Sequence, residues 1–479
     1  MRSKPMKYDQ FLKSKKSKSV ACGFEPGPLN DRLFDWQADI VNWALRRGRA
    51  GLFPDTGLGK TLMQLVIGEQ IVKETGGRFL ILTPLAVAAQ TEREADKFNI
   101  GVKVTVAASS DDVTDGITVA NYEKLHKFDV GEFVGVALDE ASILKTFGGK
   151  TRQSLIDVFR ETPYRYMLTA TPSPNDVMEI GSYAEFLGLM TRSEMLSTWF
   201  VHDGGETSKW RLKRHAEGQF FAWMASWCVM LNRPSDIGYS DEGYNLPPLT
   251  INEHIVESTI LPGMLFQSDA RTLNDQRAAR RETIGSRVAI VADLVNRNLD
   301  SWIVWCNLNQ ESNAASKAIS DSIEVYGSMK DDVKEKALTA FGCNSKRVIV
   351  TKPSIAGHGL NWQHCSNVAF VGLSHSFEQY YQAIRRSWRF GQTNPVNVHV
   401  IVSDRDGAIV ENIKRKEAEH NRLVRGIVGE MSEHSRSEIK SPTRAVEEYH
   451  PTRKMRIPQW LMSSTRKSKS NGRCTDPIA

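Results

Sequence analysis

The sequence has few cysteines, and none of them lie in the close pairs that hold zinc or form a redox centre. The six cysteines among 479 residues are scattered, with no Cys-x-x-Cys spacing. This argues against a zinc site or a disulfide framework and indicates free thiols in a reducing compartment. No apolar run approaches the length of a membrane span, and the basic N-terminus lacks the apolar segment of a secretory signal. We therefore expect a cytoplasmic protein without a membrane partner.

The charged residues are unevenly distributed along the chain. The chain is 41% hydrophobic and 25% charged, as soluble globular proteins are. Its length predicts two or three domains. Residues 1–20 and 440–479 each carry net +6, so the middle of a chain with net charge +6 overall carries net −6. The basic ends suit a polyanionic partner, although solubilising tails would look the same.

One stretch, residues 52–61, organises the rest of the chain. It reads Leu-Phe-Pro-Asp-Thr-Gly-Leu-Gly-Lys-Thr, and it runs from a short apolar strand through a glycine-rich turn into a helical pattern. Gly57 and Gly59 let backbone N–H groups turn inward to hold phosphates. Lys60 is placed to reach the β- and γ-phosphates, and Thr61 to bind Mg²⁺. Pro54 stands where the usual pattern has its first glycine, and an ordinary strand–turn–helix is the alternative.

Strand and helix patterns alternate on both sides of this loop. Before it, a helix is predicted over 34–47, with one buried stripe formed by Phe34, Ile40, Val41 and Ala44. Strands are predicted at 50–53, 79–82, 102–106, 117–120, 133–138 and 166–168, and helices at 61–74 and 85–98. This alternation predicts a mostly parallel sheet with helices on both faces, whose ligands bind beyond the carboxyl ends of the strands.

Two acids follow the strand over 133–138. Asp139 would hold Mg²⁺, and Glu140 would orient and deprotonate an attacking water, as ATP hydrolysis requires. A solvated loop with two charges is the alternative. Thr169 and Thr171 follow the next strand and are small hydroxyl residues able to sense the nucleotide state. Gln37, which precedes the phosphate loop, has one donor and one acceptor suited to an adenine edge, or is a surface helix residue.

The alternation stops between residues 176 and 245. This stretch is predicted to be mainly helical and is rich in aromatic residues, for which we expect a small core of their own. A basic cluster beside Trp210 is a candidate for phosphate contact: Lys209, Arg211, Lys213, Arg214 and His215.

A second alternating run begins near Ile284 and contains no phosphate loop of its own. Helices are predicted at 284–298, 309–320, 330–341 and 377–390, and strands at 302–306, 323–326, 348–351, 368–371 and 396–402. On the last of these helices Arg386 and Arg389 would share one face, where two guanidinium groups can stabilise a transferring phosphoryl group. Surface salt-bridging arginines are the alternative. A charged helix is expected from about 406 to 428, and the remainder is expected to be disordered.

Taken together, these segments resemble an ATPase of helicase superfamily two, closest to the Swi/Snf-like branch of double-strand DNA translocases. The resemblance covers roughly residues 33–405 and is carried by six motifs in the family's order, two of which are made of two stretches each. The motifs are 34–37, 55–61, the pair 83–84 and 121–123, 139–142, 169–172, and the pair 357–361 and 382–392. Ser142 stands where the family's DEAH box has histidine, and this replacement is expected to loosen coupling between hydrolysis and DNA motion. The compact form is similar to helicase-like proteins of bacteriophages and prophages.

The resemblance implies roles for individual residues. ATP would be bound by Gln37, Thr56, Gly57, Leu58, Gly59, Lys60 and Thr61. Mg²⁺ would be held by Thr61 and Asp139, and the catalytic residues would be Lys60, Glu140, Arg386 and Arg389. Coupling and DNA contact would fall to Thr83, Pro84, Asn121, Tyr122, Thr169, Thr171, Gly357, Gly359 and Gln382.

The implied fold is α/β, with two RecA-like doubly wound parallel-sheet lobes and a helical insertion between them. The expected division is a basic segment over 1–30, a first lobe over 31–175, the insertion over 176–245, a second lobe over 246–430 and a basic, disordered tail over 431–479. The implied function is a DNA-dependent ATPase that moves along double-stranded DNA by backbone contacts, in a bacterial or phage-infected cell. The alternatives are a strand-separating DNA or RNA helicase, and a DNA-binding scaffold with vestigial ATPase activity that works with phage or restriction-modification proteins.

Overall fold

Two parallel sheets organise the chain in the computed structural model. The structure describes residues 22–84, 87–142, 144, 149–172, 177–202, 210–257, 281–356 and 360–440. The described residues up to Lys440 belong to one compact unit. Within it, Cys22 and Phe24 donate backbone hydrogen bonds to the carbonyls of Arg47 (3.2 Å) and Leu45 (3.1 Å), so the segment before the first helix is packed onto that helix. Residues 441–479 of the expected disordered tail lie outside the described residues.

The first lobe is built on seven parallel strands in the order β3-β4-β2-β5-β6-β1-β9. These strands are β1 (Arg49–Pro54), β2 (Arg78–Thr83), β3 (Val104–Val106), β4 (Ile117–Asn121), β5 (Phe133–Asp139), β6 (Tyr164–Leu168) and β9 (Cys228–Leu231). The first lobe's helices are α1 (Asp35–Arg47), α2 (Lys60–Thr75), α3 (Ala88–Lys97), α4 (Gly149–Val158), α5 (Ile180–Phe186), α6 (Arg192–Trp199) and α7 (Glu217–Ala225).

Alternate residues of each buried strand face different cores. On β2, Leu80 and Leu82 join the cluster on one face of the sheet, and Phe79 and Ile81 join the cluster on the other. Because both faces are covered, the strands are apolar along their length. The predicted fold class, two α/β lobes with parallel sheets, is confirmed. On α1 the predicted burial of Ile40, Val41 and Ala44 is also confirmed.

Phe34 was expected in the buried stripe of α1, and that prediction is wrong. Phe34 precedes the helix as its N-cap and is 50% exposed. Its ring instead lies edge-on to Tyr244 and Phe390, with centroids 5.6 and 6.5 Å apart. A residue at the start of a helix lies outside the helical period, so a periodic stripe should not have been extended to it.

The stretch between residues 177 and 237 belongs to the first lobe rather than standing apart. Its strand β9 pairs in parallel with β1, from Gly51 opposite Cys228 to Pro54 opposite Leu231. Its aromatic residues lie in the same cluster as Phe53 of β1, so the prediction of a separate aromatic core is wrong. The aromatic members of this stretch in the shared cluster are Tyr183, Phe186, Trp199, Phe200, Phe220, Phe221 and Trp227. Strands β7 (Phe200–His202) and β8 (Trp210–Leu212) of this stretch pair antiparallel in a separate two-stranded sheet.

The second lobe has six parallel strands in the order β10-β15-β14-β11-β13-β12. These strands are β10 (Leu249–Val256), β11 (Trp302–Trp305), β12 (Ser322–Glu324), β13 (Val348–Thr351), β14 (Asn367–Phe370) and β15 (Val396–Ser403). The accompanying helices are α8 (Ile284–Asn296), α9 (Asn309–Ala318), α10 (Asp331–Gly342), α11 (Pro353–Ala356), α12 (Phe377–Ile384) and α13 (Gly407–Lys440).

Helix α12 ends at Ile384, earlier than the predicted residue 390. The carbonyl of Gln382 accepts a hydrogen bond from the guanidinium Nε of Arg386 (3.1 Å), while the backbone N–H of Arg386 bonds to Ala383 (3.3 Å). A side chain thus occupies the carbonyl that the next helical turn would use. Arg386 and Arg389 therefore lie in a turn after the helix, and the prediction that they share a helix face is wrong.

Helix α13 extends well past the predicted end near Val428. Its first turns bury Ile409 and Ile413 in the second lobe. Further along, Val424 and Val428 pack into the first lobe, as does Ile439 in another of its clusters. The carbonyl of Ile439 also accepts from Arg46 at 3.5 Å. Since its apolar residues bury against both lobes, the end of this helix remains folded where a disordered tail was expected from residue 431.

No helix among the described residues is both long enough and apolar enough to cross a membrane.

A fully buried ion pair lies in the core of the second lobe. Arg287 Nη1 is 2.7 Å from Glu311 Oε1, and both side chains are 0% exposed. The other carboxylate oxygen of Glu311 accepts from the backbone N–H groups of Asn307 and Leu308, at 2.8 Å each. The pair therefore joins α8, α9 and the end of β11.

Replacing Glu311 with Gln should lower the free energy of unfolding by about 3 kcal/mol, because Arg287 would keep its charge in the core without a counter-charge. The side-chain oxygen of Gln would retain the backbone bonds, and its NH₂ group would face Arg287, so the loss reports the missing counter-charge together with the missing hydrogen bond. Chemical denaturation of the full chain measures it, with Glu335→Gln, on the exposed side of α10, as the matched control. Equal midpoints for the two variants would contradict the prediction.

Candidate active site

The loop between β1 and α2 depends on two glycines. Gly57 and Gly59 have φ values of +89° and +78°, a backbone conformation that favours glycine. A Cβ at Gly57 would lie 2.8 Å from the backbone nitrogen of Phe390, and one at Gly59 would lie 2.3 Å from Nε2 of Gln37. The loop is therefore closely packed against the second lobe on one side and α1 on the other.

Lys60 begins α2 and points back into the loop. Its Nζ donates to the carbonyls of Pro54 (2.9 Å) and Asp55 (3.1 Å). Desolvation lowers the pKa of Lys60 to about 8, although Glu140, Asp55 and Asp139 act in the opposite direction. A buried cation whose hydrogen-bond acceptors are neutral carbonyls is strongly stabilised by binding an anion.

Gln37 ties α1 to the loop. It is 3% exposed, its Oε1 accepts from the backbone N–H of Phe34 (3.1 Å), and its Nε2 donates to the carbonyl of Leu58 (3.0 Å). Each amide atom has capacity for a further hydrogen bond. Gln37 is thus a buried residue that positions the loop, and its contact with adenine stays a prediction.

The two acids lie at the carboxyl end of β5, beside this loop. The hydroxyl of Tyr122 donates to the backbone carbonyl of Asp139 at 2.8 Å, which holds the strand end in place. Burial, and then the charge of Glu140, raise the pKa of Asp139 to about 7, while Lys60 lowers it. Asp139 is therefore a carboxylate placed where its charge is unfavourable until a cation arrives.

Glu140 is held by hydroxyl groups from two loops. Its Oε1 accepts from Ser142 Oγ (2.9 Å) and from Thr169 Oγ1 (2.8 Å). Its φ of +54° is uncommon for a residue with a side chain. Strain of this kind persists where the surroundings impose it, as they do at active sites. The expectation that Ser142 loosens coupling stays a prediction, but its hydroxyl orients Glu140 directly.

Replacing Asp139 with Asn should stabilise the nucleotide-free protein, and the gain should depend on pH. The pKa of Asp139 is about 7 in the folded protein against an ordinary value of 3.8, so wild-type stability falls as pH rises from about 4 to 7. Asparagine stays neutral and avoids that loss. The gain should be near zero at pH 4 and reach at most about 4 kcal/mol at pH 8. Thermal melts without Mg²⁺ measure it, and a gain independent of pH would contradict it.

The two arginines predicted to complete the site lie in the turn after α12. Arg386 is 2% exposed, and its Nη1 and Nη2 donate to the carbonyl of Leu360 (2.8 Å) and to Gln382 Oε1 (2.9 Å). Burial, then Arg389, lower the pKa of Arg386, and Glu140 and Asp139 raise it. Arg389 donates to the same carbonyl of Leu360 at 3.2 Å, and its buried Nε has no partner among the described residues. Arg389 therefore has the more available donor, whereas Arg386 organises the turn.

Two contacts across the lobes involve second-lobe residues that sequence reasoning did not single out. The carboxylate of Asp55, in the phosphate loop, accepts from the hydroxyl of Tyr381 (2.8 Å) and pairs with Arg385 Nη2 (3.0 Å). Thr171 donates to Glu378 Oε1 at 3.2 Å, which links the segment after β6 to the first turn of α12. The sequence shows only that residues 55 and 385 have opposite charges. That they form an ion pair could be known only from the folded structure.

Aromatic rings from three segments meet beside the phosphate loop. Tyr244 lies 4.9 Å from Phe390 and 5.8 Å from Trp36, measured between ring centroids, and Phe34 completes the group. A cavity of about 410 Å³ adjoins them, lined by 243, 245–247 and 390–393. Phe34 and Trp36 stand edge-on to Tyr244, and aromatic side chains beside a cavity are the kind of group on which a nucleobase stacks.

Four of the predicted coupling residues line a cleft of about 1040 Å³ between the lobes, whereas Thr169, Thr171 and Gln382 do not line it. Thr83, Pro84, Asn121 and Tyr122 form its first-lobe wall, and Glu140 lies in it as well. The side-chain oxygens of Thr83 and Asn121 are buried and have no hydrogen-bond partner among the described residues. The same is true of the side-chain nitrogen Nε2 of Gln382 in the second lobe. Tyr122 is buried, with its hydroxyl already engaged. Gly357 and Gly359 lie outside the described residues.

The residues present suit a nucleoside triphosphate with a divalent cation. Thr56 has a buried hydroxyl without a partner among the described residues, and Lys60 and Arg389 approach the same loop. Across the loop, Asp139 supplies a carboxylate of the kind that Mg²⁺ prefers, with the hydroxyl of Thr61 at the start of α2, and Glu140 lies beside them. A phosphate loop on one lobe, completed by arginines from another, is the arrangement of a two-lobed, helicase-type ATPase.

Comparison with known families agrees with this class. Residues 36–214 match the SNF2-related domain, and residues 286–391 match the helicase conserved C-terminal domain. The chain belongs to the Swi/Snf-like branch of helicase superfamily two. Its family consists of ATP-hydrolysing enzymes that act on nucleic acid, and the helicase-type domains imply the use of ATP.

The chain is similar both to a phage protein and to parts of larger eukaryotic proteins. It is 25% identical to protein p41 of Acyrthosiphon pisum secondary endosymbiont phage 1, over 81% of this chain and 97% of p41. It is 21% identical to chromodomain-helicase-DNA-binding protein 1 of Gallus gallus, over 84% of this chain and 27% of that protein. It is 23% identical to the SWI/SNF-related matrix-associated actin-dependent regulator of chromatin subfamily A-like protein 1 of Bos taurus, over 78% of this chain and 43% of that protein.

Proposed function

We propose that this protein is a DNA-stimulated ATPase that translocates on double-stranded DNA. The observation that carries the proposal is the meeting of Lys60, the Asp139–Glu140 pair and the turn holding Arg386 and Arg389 between two parallel-sheet lobes. A site shared in this way is completed only when the lobes adopt this arrangement, so a cycle of binding and hydrolysis would move one lobe against the other.

Each residue has a distinct part in the proposed hydrolysis. Lys60 would neutralise charge on the β- and γ-phosphates, and its desolvated ammonium favours that exchange of partners. Glu140, oriented by Ser142 and Thr169, would take a proton from the attacking water. Arg389 would stabilise the charge that develops on the transferring phosphoryl group, with Arg386 holding its turn in place.

The cation would be held by Asp139 and Thr61. Bound Mg²⁺ supplies neutralisation of phosphate charge. Its arrival would also keep Asp139 ionised, which the chain alone does not favour at neutral pH.

Nucleic acid would lie along the cleft between the lobes. Its first-lobe wall and rim carry Arg93, Lys97 and Lys124, and residue Lys334 stands on the opposite wall. Acids are also present, notably Asp332 and Glu335 on α10. Both walls mix charges, because Glu94 and Glu123 accompany the three bases of the first lobe, so the individual Arg and Lys side chains are the groups that would contact a phosphate backbone. Such contact is independent of sequence and sensitive to salt.

Turnover measured with three polymers and without polymer tests the proposal. ATP hydrolysis is expected to be fastest with double-stranded DNA and slower with single-stranded DNA, RNA or no polymer, and the stimulation should fall as salt increases. Equal rates in all four conditions would overturn DNA-coupled motion. A triplex-displacement assay run beside a strand-displacement assay separates translocation from unwinding. A Lys60→Ala variant that kept its function would support the scaffold alternative instead.

A further inference from the structure

We infer that Asp55 and Arg385 form an electrostatic switch that links the approach of the two lobes to nucleotide affinity. The inference rests on the proposed ATP site and adds a means by which lobe position controls it. Asp55 places a carboxylate inside the phosphate loop, two residues before Gly57.

Asp55 is fixed by its own loop as well as by the second lobe. Its backbone N–H donates to the carbonyl of Leu231 at 2.9 Å, and its Oδ1 accepts from the backbone N–H of Thr56 at 2.6 Å. Its charge also acts on Lys60, whose pKa it raises against the larger effect of desolvation. The carboxylate therefore stays near the position of the phosphates whether or not the second lobe is close.

Arg385 brings the compensating charge from the second lobe. Its Nη2 lies 3.0 Å from Asp55 Oδ2, and each side chain is 12% exposed. The guanidinium lies over the rings of Tyr381 (5.0 Å) and Trp388 (4.5 Å), so it is held in one position. Tyr381 adds its own hydrogen bond to Asp55 Oδ1 at 2.8 Å. The second lobe thus presents a rigid partner for a single carboxylate of the first.

The consequence follows from the sign of the charges. With the lobes apart, an uncompensated carboxylate in the loop repels a triphosphate. With the lobes together, Arg385 neutralises it, and the loop becomes a better anion site. By thermodynamic reciprocity, nucleotide then favours the arrangement in which Arg385 reaches Asp55. Asp55 is a positioning residue in this account, because it acts on the nucleotide through its charge and its pairing.

Nucleotide affinity across a double-mutant cycle tests the inference. We expect Arg385→Gln to weaken binding of a fluorescent ATP analogue with Mg²⁺ by about tenfold, as an unpaired charge some ångströms from the phosphates should. Asp55→Asn, which keeps an oxygen for Thr56 and Tyr381, should change affinity little when Arg385 is present. In the Arg385→Gln background the same substitution should restore most of the lost affinity.

The cycle separates the switch from simpler roles. If Arg385 contacts phosphate directly, Asp55→Asn will have the same effect in both backgrounds. If the pair only fastens the lobes, each single variant and the double variant will bind equally weakly. Either result overturns the inference. Arg405→Gln is the matched control, since Arg405 is a 16% exposed arginine of the second lobe that pairs with Glu282 at 3.7 Å, away from the loop.

Failure of the proposed function would look different. If the wild-type chain binds no nucleotide, or if Lys60→Ala binds it equally well, the ATP site itself is wrong and the switch falls with it. If the wild type binds and Lys60→Ala does not, but the cycle is additive, only the switch is wrong. Circular dichroism and thermal melts of each variant confirm that the compared proteins are folded.

Discussion

Replacing Glu140 with Gln should reduce ATP turnover by roughly 10³-fold while leaving nucleotide binding intact. Glutamine has nearly the same shape, and its side-chain oxygen would still accept from Ser142 and Thr169. It cannot take a proton from water at neutral pH, so the loss should appear in kcat and not in KM. Single-turnover hydrolysis and binding of a fluorescent nucleotide, both in the presence of double-stranded DNA, measure the two quantities.

Glu123 supplies the matched control for that experiment. It is an exposed carboxylate that lines the same cleft. Glu123→Gln should therefore keep the chemical step at the wild-type rate. A Glu140→Gln variant that hydrolyses ATP as fast as the control would remove Glu140 from the chemistry and leave the site without a base.

Replacing Lys60 with Ala is expected to abolish detectable turnover and to weaken nucleotide binding, without loss of folding. Lys60 is the cation nearest to the loop carbonyls, and no other side chain of the loop carries positive charge. Its removal also relieves the desolvation that lowers its pKa to about 8, so the nucleotide-free chain should melt at the same temperature or higher. The effect on kcat/KM should exceed about 10²-fold.

Lys73 provides the control on the same helix. It is a partly exposed residue of α2 that pairs with Glu69 at 2.7 Å, far along the helix from the loop. Lys73→Ala removes one positive charge from α2 and should leave turnover unchanged. Equal losses in the two variants would show that net charge, and not the position of Lys60, controls the reaction.

Local patterns in the sequence were sufficient for the lobes and for the first-lobe half of the site. Strand β1, the glycine turn and α2 follow each other within a short stretch, so periodicity and glycine placement predict them together. The acids after β5 and the threonines after β6 follow from the rule that parallel strands end at one edge of the sheet.

Features that depend on contacts between distant segments were beyond sequence reasoning. The early end of α12 arises because the side chain of Arg386 bonds to the carbonyl of Gln382, a competition that helical periodicity does not register. The pairing of β9 with β1 joins residues far apart in the chain, so the stretch containing β9 looked independent. The ion pair of Asp55 and Arg385 likewise joins residues far apart in the chain, so the sequence alone did not predict it.

Helix α13 has a mechanical consequence for any enzyme of this shape. At 34 residues it is about 51 Å long, and it is seated on the second lobe near Ile409 and on the first near Val424 and Ile439. A stiff rod anchored at both ends resists rotation of one anchor against the other. Separation of the lobes must therefore flex this rod or unseat one end, and the elastic resistance would return them toward the arrangement seen here.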